Sequence, residues 1–142
     1  MSEDVKQLYQ AAVLEHSKQP RNEGKLASAT HRARATNPLC GDRVTLHLEL
    51  RDDLVVAATF EARGCAICKA SASMLTEAVA GLAVTEAQAL GRALTAALDG
   101  DEAAELGAIA PLRGVRAFPS RRRCATLPWE TFDKAQSAPV DG

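Results

Sequence analysis

A chain of 142 residues, 46% hydrophobic and 25% charged, is sized for one domain, and neither disulfides nor a metal is needed merely to keep it folded. Aromatics make up only 4% of it, which leaves the core to Ala, Leu and Val. A formal net charge of −1 gives no global electrostatic reason to bind nucleic acid or an anionic membrane.

The start, MSEDVKQLYQ, is acidic and amphipathic with no apolar h-region, and no later stretch approaches a membrane span. The expected location is the reducing cytoplasm, where four cysteines read as ligands or nucleophiles before disulfides. Apolar residues at Val5, Leu8, Tyr9, Ala12 and Val13 predict a helix over 3–17 that stops before Pro20. Residues 25–43 are polar and read as irregular, with turn signals at Asn37-Pro38 and Gly41 that place Cys40 and Asp42 on a loop.

Val44, Leu46, Leu48 and Leu50 alternate with polar residues, which predicts a half-buried strand with His47 on its outer face. Arg51-Asp52-Asp53 turns the chain into a second, antiparallel strand over 54–62, broken at Gly64. Ile67, Ala70, Met74, Leu75, Ala78, Val79 and Leu82 then mark one face of a helix over 67–82. Thr85 with Gln88 reads as a capping box opening another helix that ends at Asp99-Gly100. A short helix over 101–106, a connector over 108–119 and a last helix capped by Thr126, with Pro128 in its first turn, complete the chain. The expected fold class is α+β, a small antiparallel sheet with helices packed mainly on one face. One domain spans 1–135, and 136–142 reads as a disordered tail.

Three cysteines share a setting. Cys40 precedes Gly-Asp on a loop, Cys65 follows Gly64 at a strand end ahead of a helix, and Cys124 follows three arginines ahead of a helix start. Helix N-termini and nearby cations favour the thiolate, which is both the metal ligand and the sulfur nucleophile. With the Asp42 carboxylate they would make a tetrahedral S₃O set suited to Zn²⁺. Buried structural thiols and a turn-forming Asp42 are the plainer readings of the same residues. Cys65 and Cys68 also have the C-x-x-C spacing of a redox pair or a zinc knuckle. Arg113, Arg116, Arg121, Arg122 and Arg123 read as a solvated face, or as a docking or thiol-activating group beside Cys124. His16, His31 and His47 are minor ligand candidates, His47 first among them.

The segments NPLCGDR (37–43), RGCAICKASASMLTE (63–77) and VRAFPSRRRCATLPW (115–129) resemble the SufU/IscU family of iron–sulfur cluster assembly proteins. The resemblance runs from LYQAAVLEHSKQPRN near the start to Trp129. It implies a metal or cluster site at Cys40, Asp42, Cys65 and Cys124. Arg123 stands where IscU-type scaffolds carry a histidine, and 81–114 is long enough for the insertion of the SufU branch. That branch implies bound Zn²⁺ and persulfide sulfur taken from a cysteine desulfurase of the SUF system, with Cys40 as acceptor. Downstream iron–sulfur assembly proteins are further implied partners, and nucleic acid and membrane are not.

Arg121 matches an arginine common in that branch and is the candidate for partner docking. Cys68 departs from the family, where serine is usual, so its C-x-x-C reads as a ligand cysteine with a neighbour. The expected role is that of a sulfurtransferase-type accessory protein rather than a stand-alone enzyme. The alternatives are a scaffold on which an Fe–S cluster is built, a thiol–disulfide oxidoreductase using Cys65 and Cys68, and a purely structural zinc protein.

Overall fold

The computed structural model describes residues 3–39 and 41–140, with side chains from residue 11 onward. Cys40 therefore lies outside the described residues. The chain runs α1 (Glu3–Lys18), β1 (His31–Asn37), β2 (Asp42–Arg51), β3 (Leu54–Arg63), α2 (Ala66–Val79) and α3 (Val84–Leu98). A 3₁₀ helix over Gly107–Ala117 and a 3₁₀ turn over Pro119–Arg121 lead into α4 (Arg122–Ala135). The three strands form one antiparallel sheet in the order β1-β2-β3, so the α+β class expected from the sequence is the class observed. No helix among the described residues is long and apolar enough to cross a membrane.

The β2–β3 hairpin follows from its turn. Asp52 and Asp53 both have positive φ, 52° and 65°, between the paired Arg51 and Leu54. Two left-handed residues in a two-residue loop give the twist that suits antiparallel strands, and aspartate tolerates that region. Val44, Leu46 and Leu48 of β2 are fully buried on one face, with Val55, Ala58 and Phe60 of β3 beside them. Leu75 and Val79 of α2 and Phe132 of α4 complete this core with all of them but Val44, which clusters with Cys68, Cys124 and Leu127. α2 packs against β3, α4 against β1 and β2, and α1 against α2.

Sequence periodicity missed or misplaced several elements. Residues 31–37 form a strand, not a loop; alanines 33 and 35 supply its inner positions, too small to register as a hydrophobic alternation. His47 is 2% exposed rather than on an open face. Arg32 Nε donates to its Nδ1 at 2.9 Å, and a guanidinium only donates, so the proton sits on Nε2 and is given to Glu61 at 2.8 Å. Both ring nitrogens are thereby occupied on the outer face of the sheet.

α3 begins at Val84, and Glu86 accepts from the Ala83 N–H at 2.9 Å; Thr85 lies inside the helix instead of capping it. Residues 101–106 hold turns and no helix, while the expected connector contains the 3₁₀ helix. α4 starts four residues before Thr126, because Pro119 opens a 3₁₀ turn that winds straight into it. The segment expected as a disordered tail is paired as far as Val140: Arg32 N–H donates to Ala138 O at 3.1 Å and Val140 N–H to Thr30 O at 2.9 Å. An open β1 edge supplies the backbone partners.

Candidate metal centre

Asp42, Cys65 and Cys124 come from three separate elements, and one ligand atom from each lies within 4.8 Å of the others. Asp42 is the first residue of β2, paired with Asn37 and 1% exposed. The loop before it is short and internally bonded: Gly41 N–H donates to Asn37 O at 2.8 Å, and Leu39 N–H to Asn37 Oδ1 at 3.2 Å. Such an Asx turn is what asparagine before proline favours.

Cys65 is the N-cap of α2, with φ −75° and ψ 165°, and its N–H donates to Asp42 Oδ1 at 3.1 Å. Gly64 makes this approach feasible. Its φ is +147°, and a Cβ placed on it would stand 2.1 Å from Asp42 Oδ1. The sequence pattern marks Gly64 only as a strand breaker; its place directly before a capping cysteine is the signal for a second role. Cys124 sits in the first turn of α4 and is fully buried.

Both thiols therefore lie at helix N-termini, where the peptide dipoles favour the thiolate. The structure also sorts the arginine triplet. Arg122 pairs with Asp99 at 2.5 Å and Arg123 with Glu130 at 3.6 Å. Arg121 alone turns to the sulfurs: its hydrogen bond with Cys124, then the charge of Cys65, hold the guanidinium above its ordinary pKa. Two thiolates and a carboxylate form a three-donor set for a borderline-soft ion, and a tetrahedral ion held by them has one position left to fill.

Only one cysteine of the C-x-x-C belongs to the donor group, although Cys65 also packs against the cluster that holds Cys68. Cys65 belongs to the donor group, whereas Cys68 is fully buried with Val44, Cys124 and Leu127 and is not part of that group. No disulfide joins Cys65, Cys68 or Cys124. Cys68→Ser is expected to leave bound metal unchanged and to cost about 1–3 kcal/mol of stability, since it puts a hydroxyl in an apolar cluster. Metal analysis with urea titration of the two proteins checks both halves of that statement. Among the three histidines, His16 bonds Ser73 Oγ through Nδ1 at 2.7 Å and His31 bonds Thr30 Oγ1 at 2.8 Å. With His47 tied to Arg32 and Glu61, none joins the donor group.

This arrangement has relatives. The family model of the NifU-like N terminal domain matches residues 8–125. The zinc-dependent sulfurtransferase SufU of Bacillus subtilis is 39% identical over 130 residues, which cover 89% of this chain and 88% of that protein. The iron–sulfur cluster assembly scaffold protein IscU of Streptococcus pyogenes is 37% identical, covering 90% of this chain and 82% of its own. A crystal structure from Fervidobacterium islandicum, described as an iron–sulfur cluster assembly scaffold protein for the SUF system, superposes with a TM-score of 0.82. It is 30% identical, and the match covers 91% of this chain and 96% of that one. With the sequence matched from the first helix into the last and the fold matched across the sheet, this chain belongs to the family of NifU-like N-terminal domains.

Proposed function

We propose that this chain accepts persulfide sulfur from a cysteine desulfurase during iron–sulfur cluster assembly, with Zn²⁺ held by Cys40, Asp42, Cys65 and Cys124. The observation that carries the reading is the convergence of Asp42, Cys65 and Cys124 donors within 4.8 Å. The donor set fits the ion: zinc takes thiolate and carboxylate ligands in tetrahedral sites. When bound, Zn²⁺ supplies positive charge that keeps ligating thiols deprotonated at neutral pH. The name of the Bacillus subtilis relative supports zinc and sulfur transfer.

The chain's own residues do the rest. The Cys40 thiolate attacks the terminal sulfur of the desulfurase persulfide; a new S–S bond forms, the old one breaks, and the desulfurase cysteine leaves as its thiolate. No external oxidant or reductant is consumed. The reducing cytoplasm suits this exchange, and a downstream iron–sulfur assembly protein takes the sulfur next. Arg121 would meet a carboxylate of the desulfurase, a role that its exposure and its closeness to Cys124 support.

A second reading is a scaffold on which an Fe–S cluster is built on the same ligands, favoured by the names of the Streptococcus and Fervidobacterium relatives. Metal analysis and the visible spectrum of freshly purified protein separate the two. Colourless protein with one zinc per chain that takes up labelled persulfide sulfur supports the relay. Brown protein containing iron and sulfide overturns it in favour of the scaffold.

Arg121→Ala is expected to lower desulfurase stimulation by about tenfold or more, of the order of 1.4 kcal/mol, with zinc content normal. Arg122→Ala should have little effect, since Arg122 is already engaged by Asp99. Activation assays across a salt series check this; equal mild losses that vanish at high salt would reduce the arginines to a steering patch.

A further inference from the structure

On the outer face of the sheet, away from the core, one arginine from each strand lines a single cavity of about 390 Å³. These are Arg34 of β1, Arg43 of β2 and Arg63 of β3, and Glu23, Gly24, Thr45, Glu61 and Ala62 also line it. The register explains the convergence. Arg43 stands directly opposite Arg63, and Arg34 opposite Thr45, which faces Glu61 on β3. All of these positions have the parity opposite to Val44 and Leu46, so they point away from the helices.

The charges in this cavity do not balance one another. Glu61 accepts from His47 at 2.8 Å, and Glu23 pairs with Lys69 at 3.2 Å. Arg34 has the Thr45 hydroxyl, at 3.3 Å. Among the described residues no carboxylate lies within ion-pair distance of Arg34, Arg43 or Arg63, so neither Glu23 nor Glu61 neutralises them directly. Like charges directly opposite one another across antiparallel strands are destabilising, and ordinary sheet surfaces set opposite charges there. The chain therefore keeps a costly arrangement at one place on its surface, and an anion between the guanidiniums would relieve it.

We propose that this cavity binds the phosphate group of a small phosphate monoester. Planar guanidinium forks match oxyanions with paired N–H donors, and the Thr45 hydroxyl adds a neutral partner. The volume sits at the small end of the roughly 300–1,000 Å³ of ligand clefts, enough for an oxyanion with a compact organic body. Among the described residues the cavity's lining includes no thiol, although Arg43 directly follows Asp42 and Arg63 stands two residues before Cys65.

The test is calorimetric titration of the full chain, zinc content measured in parallel, with sodium phosphate, glycerol 3-phosphate and succinate at ionic strength held constant with chloride. Both phosphate probes are expected to bind saturably, at about 1 mM or tighter, and better than succinate. Arg34→Gln, which lies away from the thiol cluster, and the Arg43→Gln/Arg63→Gln double variant should each weaken phosphate binding at least tenfold. Arg51→Gln should not, its partner being Glu49. Phosphate binding equal in the wild type and both cavity variants would overturn the site, as would the absence of saturable heat with phosphate. Saturable succinate binding without phosphate binding would overturn the phosphate assignment. Because zinc is counted in every variant, failure here is distinguishable from failure of the metal reading.

Discussion

Cys124→Ala is expected to strip the purified protein of its metal while leaving the chain folded. Cys124 is fully buried and is one of three donors that the described residues bring together. Loss of a residue that merely supports a metal ligand costs 10–100-fold in affinity, so loss of a ligand itself should weaken binding by more than about 100-fold. The fold is not expected to depend on the ion. Leu46, Leu48, Phe60, Leu75 and Phe132 form a buried core that contains no ligand residue. The apo chain should then unfold cooperatively at a lower temperature, by the stabilisation that ligand binding had added.

Cys68→Ala is the matched control, because it removes a sulfur from the same cluster of Val44, Cys124 and Leu127 without removing a donor. Zinc analysis of the two variants side by side, with thermal unfolding followed by circular dichroism, reads the result. Stoichiometric zinc in Cys124→Ala would sink the ligand assignment. Equal zinc loss in Cys68→Ala would mean that cluster packing, and not ligation, holds the metal.

The α+β class follows from the sequence, and three of its four candidate donors, Asp42, Cys65 and Cys124, converge, while Cys40 lies outside the described residues. Asp42 and Cys65 were legible because turn residues announce themselves: Asn37-Pro38, Gly41 and Gly64 mark where loops must be. Helix and strand existence followed from periodicity where the apolar residues are large, as in β2. It failed at β1, whose inner positions are alanines, and at the 3₁₀ helix, whose period differs from that of an α-helix. Which of Arg121, Arg122 and Arg123 faces the sulfurs is not readable from the residues themselves; only the family resemblance sets Arg121 apart, and as a docking residue. That choice depended on Asp99 and Glu130 taking up the other two. His47 misled because alternation distinguishes two faces of a strand but does not say whether long side chains from neighbouring strands will cover the outer one.

Gly64→Ala is expected to destabilise the protein by about 3–5 kcal/mol and to disorganise the donor group without removing any ligand. Two independent costs meet at this residue. Its φ of +147° lies where side chains are rarely tolerated, a strain of roughly 1–3 kcal/mol. The added methyl would also lie 2.1 Å from Asp42 Oδ1, 2.9 Å from its Cγ and 3.1 Å from its Cα, an overpacking of roughly 1–3 kcal/mol more. Asp42 cannot simply step aside: it is 1% exposed, its Oδ1 accepts the Cys65 N–H, and rotating the side chain does not move its backbone away from the methyl. Gly81→Ala separates the two costs, because Gly81 has a φ of +88° with nothing within 4 Å of a Cβ. It should show only the backbone strain and keep its metal. The second separation is a double-mutant cycle with Asp42→Ala, which deletes the two closest atoms. Gly64→Ala should cost less in that background by about 1 kcal/mol or more, measured by urea titration of the metal-free proteins. Equal costs in both backgrounds would mean that Gly64 is required for its backbone conformation alone and that its closeness to Asp42 is incidental.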